Sequence, residues 1–548
     1  MSKFPTANLL VVSALAAALL AAGPHSDLFL GVLAVGVVLL IVFGEHSRFE
    51  QVIESRGWPG REAIAPLAAL ALALALGALD VDRALSTVAD KLDIVVLILS
   101  FAIVSYGLGR SGFFEFAAHY FVARAKGVTA ALVINMYILS SILTYVTSND
   151  IVVLVLTPII FSICVNAGIA NAKLILLSQF VAANTVSMGL LIGSPTNIIV
   201  SDTLNISFFE YFLLMLVPSL ASFATSLIVA DLINRSVSGG KALGALNWGF
   251  QPEYAPDRDR LTPYFTPTMA RWLGLFGLVV IAVAVVTQLA LPLYWCALPT
   301  FAVALALVAF EPNRPLQRNT TEEVLLSLQR LPYSIIAFGL VFFIFAAELA
   351  ARPFGAEVLV PLLRQVATAD PLVNQVATIF GTGLMVNLFN DLPASALWAG
   401  LYAEAGLQGP GALASVQAAL IGLNIGCYVT PIGALAGIIW FNILKSEAAR
   451  QAELAEQAGL PPPNIVLPTR IDLVTYGAIH FVVTALVCAL ISSATLQIAL
   501  HMSERGPTLA AIFVAGAVTV FLFAAARVIL RPPQTSPGRL ESGANPLD

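Results

Sequence analysis

Apolar runs of roughly 18 or more residues recur along the whole chain, each long enough to cross about 30 Å of hydrocarbon. Hydrocarbon offers a backbone no water, so every N–H and C=O must be paired within a helix or around a closed barrel. The ten-residue alternation of a membrane barrel is absent from the sequence. The expected fold class is therefore an all-α polytopic membrane protein. Charge agrees, because 11% of the 548 residues are charged, against about 25% in soluble domains. The net charge of −5 is spread thinly, so nucleic acid is not an expected partner and the lipid bilayer is.

Spans are expected near 8–23, 28–44, 63–80, 93–108, 174–200, 208–233, 271–290, 293–310, 332–350, 411–444, 471–490 and 507–530. Two further apolar stretches, 128–166 and 371–404, carry a polar break halfway. If each enters and returns on one side, the chain has about twelve transmembrane helices plus two re-entrant hairpins. An N-terminus placed inside leaves only Arg83, Lys91, Arg352, Arg364 and Arg505 outside among the 27 basic residues. An inward excess of this kind orients membrane proteins, so both termini are expected in the cytoplasm, with the chain in a prokaryotic plasma membrane. The run Leu9 to Gly23 ends in a small-residue AAG like a cleavage site. It is read as a retained first helix, since removing it breaks the parity of the crossings. The polar segment KSEAARQAELAEQAGL, 445–460, is expected as a cytoplasmic amphipathic helix ended by Pro461-Pro462-Pro463.

The polar breaks carry the functional signal. The stretch TYVTSNDIVVLVLTP, 144–158, buries Asn149 and Asp150 in an apolar run. A charge at membrane depth costs about 2.5–3.5 kcal/mol on insertion scales and usually marks function. GSPTN, 193–197, interrupts the next helix. NLFNDLP, 387–393, and TPIG, 430–433, repeat the pattern later in the chain. Twice the order runs helix, amphipathic segment, hairpin with an Asn-Asp tip, broken helix, closing helix. By the charge count the first copy starts outside and the second inside, the inverted topology of secondary transporters. The repeats are expected over 91–233 and 332–490. Flanking them are N-terminal helices in 1–90, a linker with two connecting helices in 234–331, and a final helix and tail in 491–548.

Broken helices free backbone groups, which a membrane tolerates only where they line a cavity or are buried in protein. Half-helix N-termini carry partial positive charge and suit an anion. Freed carbonyls beside Ser148, Asn149 and Asn390 suit Na⁺, with Gly193 and Gly433 at the breaks completing the candidate ion site. Ser148, Asn149, Asn387 and Asn390 are expected to line a midplane site, with Asp150 and Asp391 as coupling groups for H⁺ or Na⁺. Gly193, Ser194, Pro195, Thr196 and Asn197, and Thr430, Pro431 and Gly433, make up the two breaks.

SGFFEFAAHY (111–120), SNDIVVLVLTPII (148–160), IGSPTNIIVSD (192–202), NLFNDLPA (387–394) and TPIGALAGIIW (430–440) together resemble the ion transporter superfamily. The likeness is to the arsenite permease type and to the related divalent anion:sodium symporters and citrate-transporter-like permeases, over roughly residues 90–445. It implies a secondary active transporter of a small inorganic or organic anion, with export of arsenite or antimonite as the nearest case. A sodium-coupled di- or tricarboxylate or sulfate symporter is the alternative. Arsenite permeases usually carry an asparagine pair before the Leu-Pro, where this chain has Asn390-Asp391, and Gly-x-Asp where it has Gly426-Cys427-Tyr428. The symporter likeness also implies a homodimer through scaffold helices 63–80, 208–233 and 271–310. Paired broken helices speak against a passive channel.

Other features read more plainly. GLGRSG, 107–112, matches a dinucleotide fingerprint without the strand that fingerprint needs, and is read as a helix stop. No Walker A, HExxH or GxSxG motif is present, so neither an enzyme nor a cofactor beyond the coupling ion is expected. The four cysteines are scattered without CxxC, which suggests no disulfide framework or zinc site. Cys427 alone is a poor ligand set for arsenic(III). Glu348 is expected near the outer interface, paired with Arg352 at i+4, and Glu115 is expected to be solvated.

Overall fold

The computed structural model describes residues 18–43 apart from 20 and 24, 61–238, 265–310, and 320–505 apart from 330, 332 and 460. The expected helix at 507–530, most of the one at 8–23, and much of the linker lie outside the described residues. Among the described residues the chain is helical, with one isolated bridge pairing Asn171 and Val466. Six helices are each long and apolar enough to span a membrane, and a seventh span forms if a bent pair counts as one. The chain is an all-α polytopic membrane protein.

Three helices come first: α1 (Asp27–Phe43), α2 (Arg61–Ala75) and α3 (Val81–Arg110). The last starts twelve residues before the expected 93–108 span. Asp80 explains the early start: its carboxylate accepts from the backbone N–H of Asp82 and Arg83 at 3.0 and 3.1 Å, pairing donors that a helix start otherwise leaves free. At the other end Gly112 turns the chain at φ 81°, so GLGRSG is a helix stop.

After that turn come α4 (Phe113–Ala125), α5 (Thr129–Val146), α6 (Asn149–Asn166), α7 (Lys173–Val186), α8 (Pro195–Thr203) and α9 (Phe208–Ser238). Two connecting helices follow, α10 (Pro267–Gln288) and α11 (Tyr294–Ala309), then the short α12 (Thr320–Gln329). The later series is α13 (Tyr333–Ala351), α14 (Val360–Ala367), α15 (Pro371–Phe389), α16 (Asp391–Ala405), α17 (Pro410–Gly426), α18 (Leu435–Gln457) and α19 (Arg470–Arg505). The chain bends by 67° between α13 and the amphipathic segment holding α14. The polar 445–460 segment is helical as expected, as the continuation of α18 through Gln457, because KSEAARQAELAEQ holds no residue that stops a helix.

The two series pack alike. α5 lies on α7 as α15 lies on α17, and α7 lies on α9 as α17 lies on α19. The second hairpin helix of each series meets the far half of the other's broken helix, α6 against α18 and α16 against α8. The closing helices α9 and α19 pack together, as do the opening helices α3 and α13. The scaffold expected over 63–80, 208–233 and 271–310 falls on α2, α9, α10 and α11, and α9 keeps Leu213 and Leu232 exposed.

Candidate functional site

Each hairpin turns at a polar tip. After α5, Thr147 leaves helical geometry at φ −126°, ψ −108°, and Ser148 is extended at φ −157°, ψ 162°. At the second tip Asn390 takes φ 78°, ψ 160°, a region almost reserved for glycine that costs about 1–3 kcal/mol for other residues. Strain of that size persists only where the surroundings fix it, and Asn390 Nδ2 donates to the carbonyl of Ile432 in the second break at 2.9 Å.

The breaks are closed by glycine for a steric reason. A Cβ on Gly193 would lie 2.2 Å from the carbonyl oxygen of Ser187, and one on Gly433 2.5 Å from that of Cys427. Both are far inside contact distance, so only hydrogen fits. Pro195 takes the first position of α8, where its missing N–H is no loss. Ser194 caps that helix by accepting from the N–H of Thr196 at 3.3 Å.

Between the breaks lies a buried polar bridge. Asn149 Nδ2 donates to Asn184 Oδ1 at 3.1 Å, and the Cys427 thiol lies 3.3 Å from the same oxygen. Reciprocally, Ser187 donates to Asn424 Oδ1 at 2.8 Å, and Asn424 Nδ2 donates to Asn197 Oδ1 at 2.8 Å. Each broken helix thus sends an asparagine to the first residue of the other's break: Asn184 to Cys427, and Asn424 to Ser187. Nearby, Gln179 accepts from Thr157 at 3.2 Å and from the indole of Trp440 at 3.3 Å, tying α6, α7 and α18 together. The side-chain oxygens of Asn149 and Asn390, one per tip, are buried with no hydrogen-bond partner.

The sequence-selected residues divide by role. Asn387 is a brace: its amide donates to the carbonyls of Gly383 and Gly426 at 2.7 and 2.9 Å and accepts from Thr430 at 2.7 Å. Asn197 is another, donating to the carbonyls of Ser187 and Leu190 at 2.8 and 3.0 Å. Each polar atom of both amides has at least one partner, so both hold the breaks in shape. Thr196 keeps a buried hydroxyl without a partner. Pro431 lies within the second break, next to Thr430. Asp391 is buried, its Oδ1 accepting from the N–H of Leu392 at 3.0 Å.

Asp150 and Ser148 also line a cavity of about 590 Å³ between α3, α6 and α8, together with Ser105, Tyr106, Arg110 and Pro195. A second cavity of about 300 Å³, at the Lys91 end of α3, is lined by Asp93, Ser201, Asp202 and Asn205. Ile198 faces both cavities, with Ile192 on one side and Leu191 on the other, an apolar divider between the two. Basic groups flank them, Lys91 paired with Asp202 at 2.9 Å and Arg110 paired with Glu323.

Sequence reasoning missed Asn184, Asn424, Gln179 and Arg110. Glu115 is half-buried, with Oε2 enclosed, and α4 packs against both α5 and α6. Glu348 does pair with Arg352, at 3.4 Å, and also with Arg83 at 2.9 Å. Among the described residues no group of three or more His, Cys, Asp or Glu could hold a metal, so a cation would have to be held by neutral oxygens and at most a carboxylate or two. The orphan oxygens of Asn149 and Asn390 are of that kind.

Truncating the bridge should loosen the fold. Asn424→Ala leaves Asn197 Oδ1 without its donor and cuts the tie to Ser187, whose hydroxyl keeps only the Asn184 carbonyl at 2.8 Å, and an unsatisfied buried group costs about 1–3 kcal/mol. A lowered melting temperature of the detergent-purified variant is the expected result, and an unchanged one removes the bridge from the account.

The family model described as citrate transporter matches residues 57–421, which take in the first series and the second hairpin but stop before the second break. An arsenical pump membrane protein of Yersinia enterocolitica is 24% identical over 351 residues, covering 63% of this chain and 77% of the relative. One of Escherichia coli, with the same coverage, is 23% identical over 354 residues. An uncharacterized transporter of Mycobacterium tuberculosis is 26% identical over 121 residues, 22% of this chain and 28% of the relative.

Proposed function

The chain belongs to the citrate transporter family, and from that premise we propose that it is a secondary active transporter moving a small anion across a prokaryotic plasma membrane, coupled to a H⁺ or Na⁺ gradient. The observation that carries this is the reciprocal bridge, in which each broken helix is held by the other's asparagine beneath a strained or extended tip. A network shared so evenly has two equivalent ways to open, one toward each side, and alternating access requires that. In this reading the series 91–233 and 332–490 are inverted repeats related by a two-fold axis in the membrane plane, with both termini cytoplasmic. Ser148, Asn149 and Asn390 bind substrate or the coupling ion, with Gly193 and Gly433 supplying the close backbone. Asp150 and Asp391 carry the coupling charge.

Two substrate classes fit. The family description favours a di- or tricarboxylate, and the relatives named arsenical pumps favour export of arsenite or antimonite. Cys427 is the one cysteine hydrogen-bonded into the bridge among the described residues, and a lone thiol weakens the case for a soft arsenic centre. Flux into proteoliposomes, measured for citrate, succinate, sulfate, arsenite and antimonite, separates the classes. One of these is expected to move only when a Na⁺ or H⁺ gradient is imposed, whereas flux indifferent to both gradients indicates a channel.

The partner proposed is a second copy of the chain, joined through α2, α9, α10 and α11. Their outward residues include Leu67, Leu278, Ile281 and Trp295, apolar groups that lipid or a subunit can cover. Native mass spectrometry in mild detergent is expected to show a dimer, and monomers alone would remove it.

A further inference from the structure

We propose that Arg110 is the anion-recognition residue of the larger cavity, and that Glu323 occupies it until substrate arrives. The inference rests on the anion-transport reading and names the residue that meets the anion. Arg110 ends α3, stacks over the Tyr106 ring with 5.8 Å from its guanidinium carbon to the centroid, and pairs with Glu323, whose side chain is 1% exposed. Among the described residues it is the one basic residue lining this cavity. Ser105, on the same wall, is buried with a hydroxyl that has no hydrogen-bond partner.

The carboxylate comes from α12, a polar helix that packs against α3 and α11. Residues three and four apart share a helix face, and on this one Glu323 and Ser327 are buried while Leu326 forms part of the cavity wall. A guanidinium presents a planar fork of donors that fits a carboxylate or an oxyanion equally. Glu323 is one such carboxylate, so any anion entering the cavity competes with it for the same donors. In a buried pair the desolvation of both charges largely offsets their attraction, so exchanging one carboxylate for another costs little. The Ser105 hydroxyl offers the incoming anion a hydrogen bond that Glu323 leaves unmade. Displacing Glu323 frees the inner face of α12 and opens that side of the cavity. The ligand class is a small anion bearing a carboxylate or a tetrahedral oxyanion. Arsenious acid, uncharged at neutral pH, has no charge with which to compete.

Citrate, succinate and sulfate are the probes, titrated into the purified full-length protein by thermal shift and followed as flux into proteoliposomes. Arg110→Gln is expected to weaken half-saturation by about ten- to a hundredfold, the worth of a charge-assisted contact. Glu323→Gln is expected to strengthen it about three- to tenfold by removing the internal competitor, and Arg110→Lys to fall between wild type and Arg110→Gln. A pair that only tethers α12 predicts that both substitutions shift half-saturation the same way, and that result overturns the inference. A second reading avoids altering either charge: Leu326→Cys should react faster with a thiol reagent when citrate, succinate or sulfate saturates the protein. An unchanged labelling rate, or no stabilisation of wild type by any of the three anions, also overturns it. Anion binding with these signatures but without flux supports the site and counts against the transport reading instead.

Discussion

Asp150→Asn is expected to insert and fold like the wild type and to lose gradient-driven transport, by about a hundredfold or more if the carboxylate is obligatory for coupling. Asp150 stands in the first turn of α6, beside the partial positive charge of that helix start. Its carboxylate lines the larger cavity, and no described residue hydrogen-bonds or ion-pairs with it. A plain capping role is the rival explanation. Ser148 already holds the cap position, and Asn caps as well as Asp, so a capping residue would tolerate the change. The account requires normal yield and melting temperature together with lost flux under both a Na⁺ and a H⁺ gradient. Full flux in the variant would reduce Asp150 to a cap.

The second large effect is steric. Gly193→Ala and Gly433→Ala each drive a methyl group into a backbone carbonyl, 2.2 Å from Ser187 O and 2.5 Å from Cys427 O. Backbone cannot swing aside as a flexible side chain does, so overpacking is expected to cost about 1–3 kcal/mol or more at each position. Transport should fall with stability, because the same displacement pulls Ser187 from Asn424 or Cys427 from Asn184. Gly274→Ala is the control, since nothing lies within 4 Å of a Cβ there. Melting curves and flux of the three variants test this together. If Gly193→Ala matches Gly274→Ala in both, the breaks are looser than the geometry requires.

Much of this architecture was legible because polar residues and helix breakers stand out in an apolar sequence. Ser148-Asn149-Asp150, GSPTN, Asn390-Asp391 and TPIG all fall where helices stop, since Pro, Gly and paired polar groups have no bland explanation at that depth. Asn184 and Asn424 were not legible in the same way. Each sits inside a continuous helix, and one asparagine does not disturb an apolar periodicity. The usable signal lies in comparing the halves, where Asn184 precedes Ser187 by the same three residues that separate Asn424 from Cys427. Arg110 was set aside as part of a helix stop, which it is, yet the same position brings it to the cavity. Its partner Glu323 lies in a connection that read as polar linker, because α12 is too short for its buried face to show as a periodicity.

The claim at the centre of the account is that the paired tips and breaks form one ion-coupled site that opens to one side at a time. Its most direct test uses proteoliposomes holding an equal concentration of the transported anion on both sides. Imposing a Na⁺ or H⁺ gradient is predicted to drive net accumulation against the anion gradient that builds up, in wild type but not in Asp150→Asn. If the anion stays at equal concentration under either ion gradient while still exchanging across the membrane, the protein is a passive pathway and the coupled site does not exist.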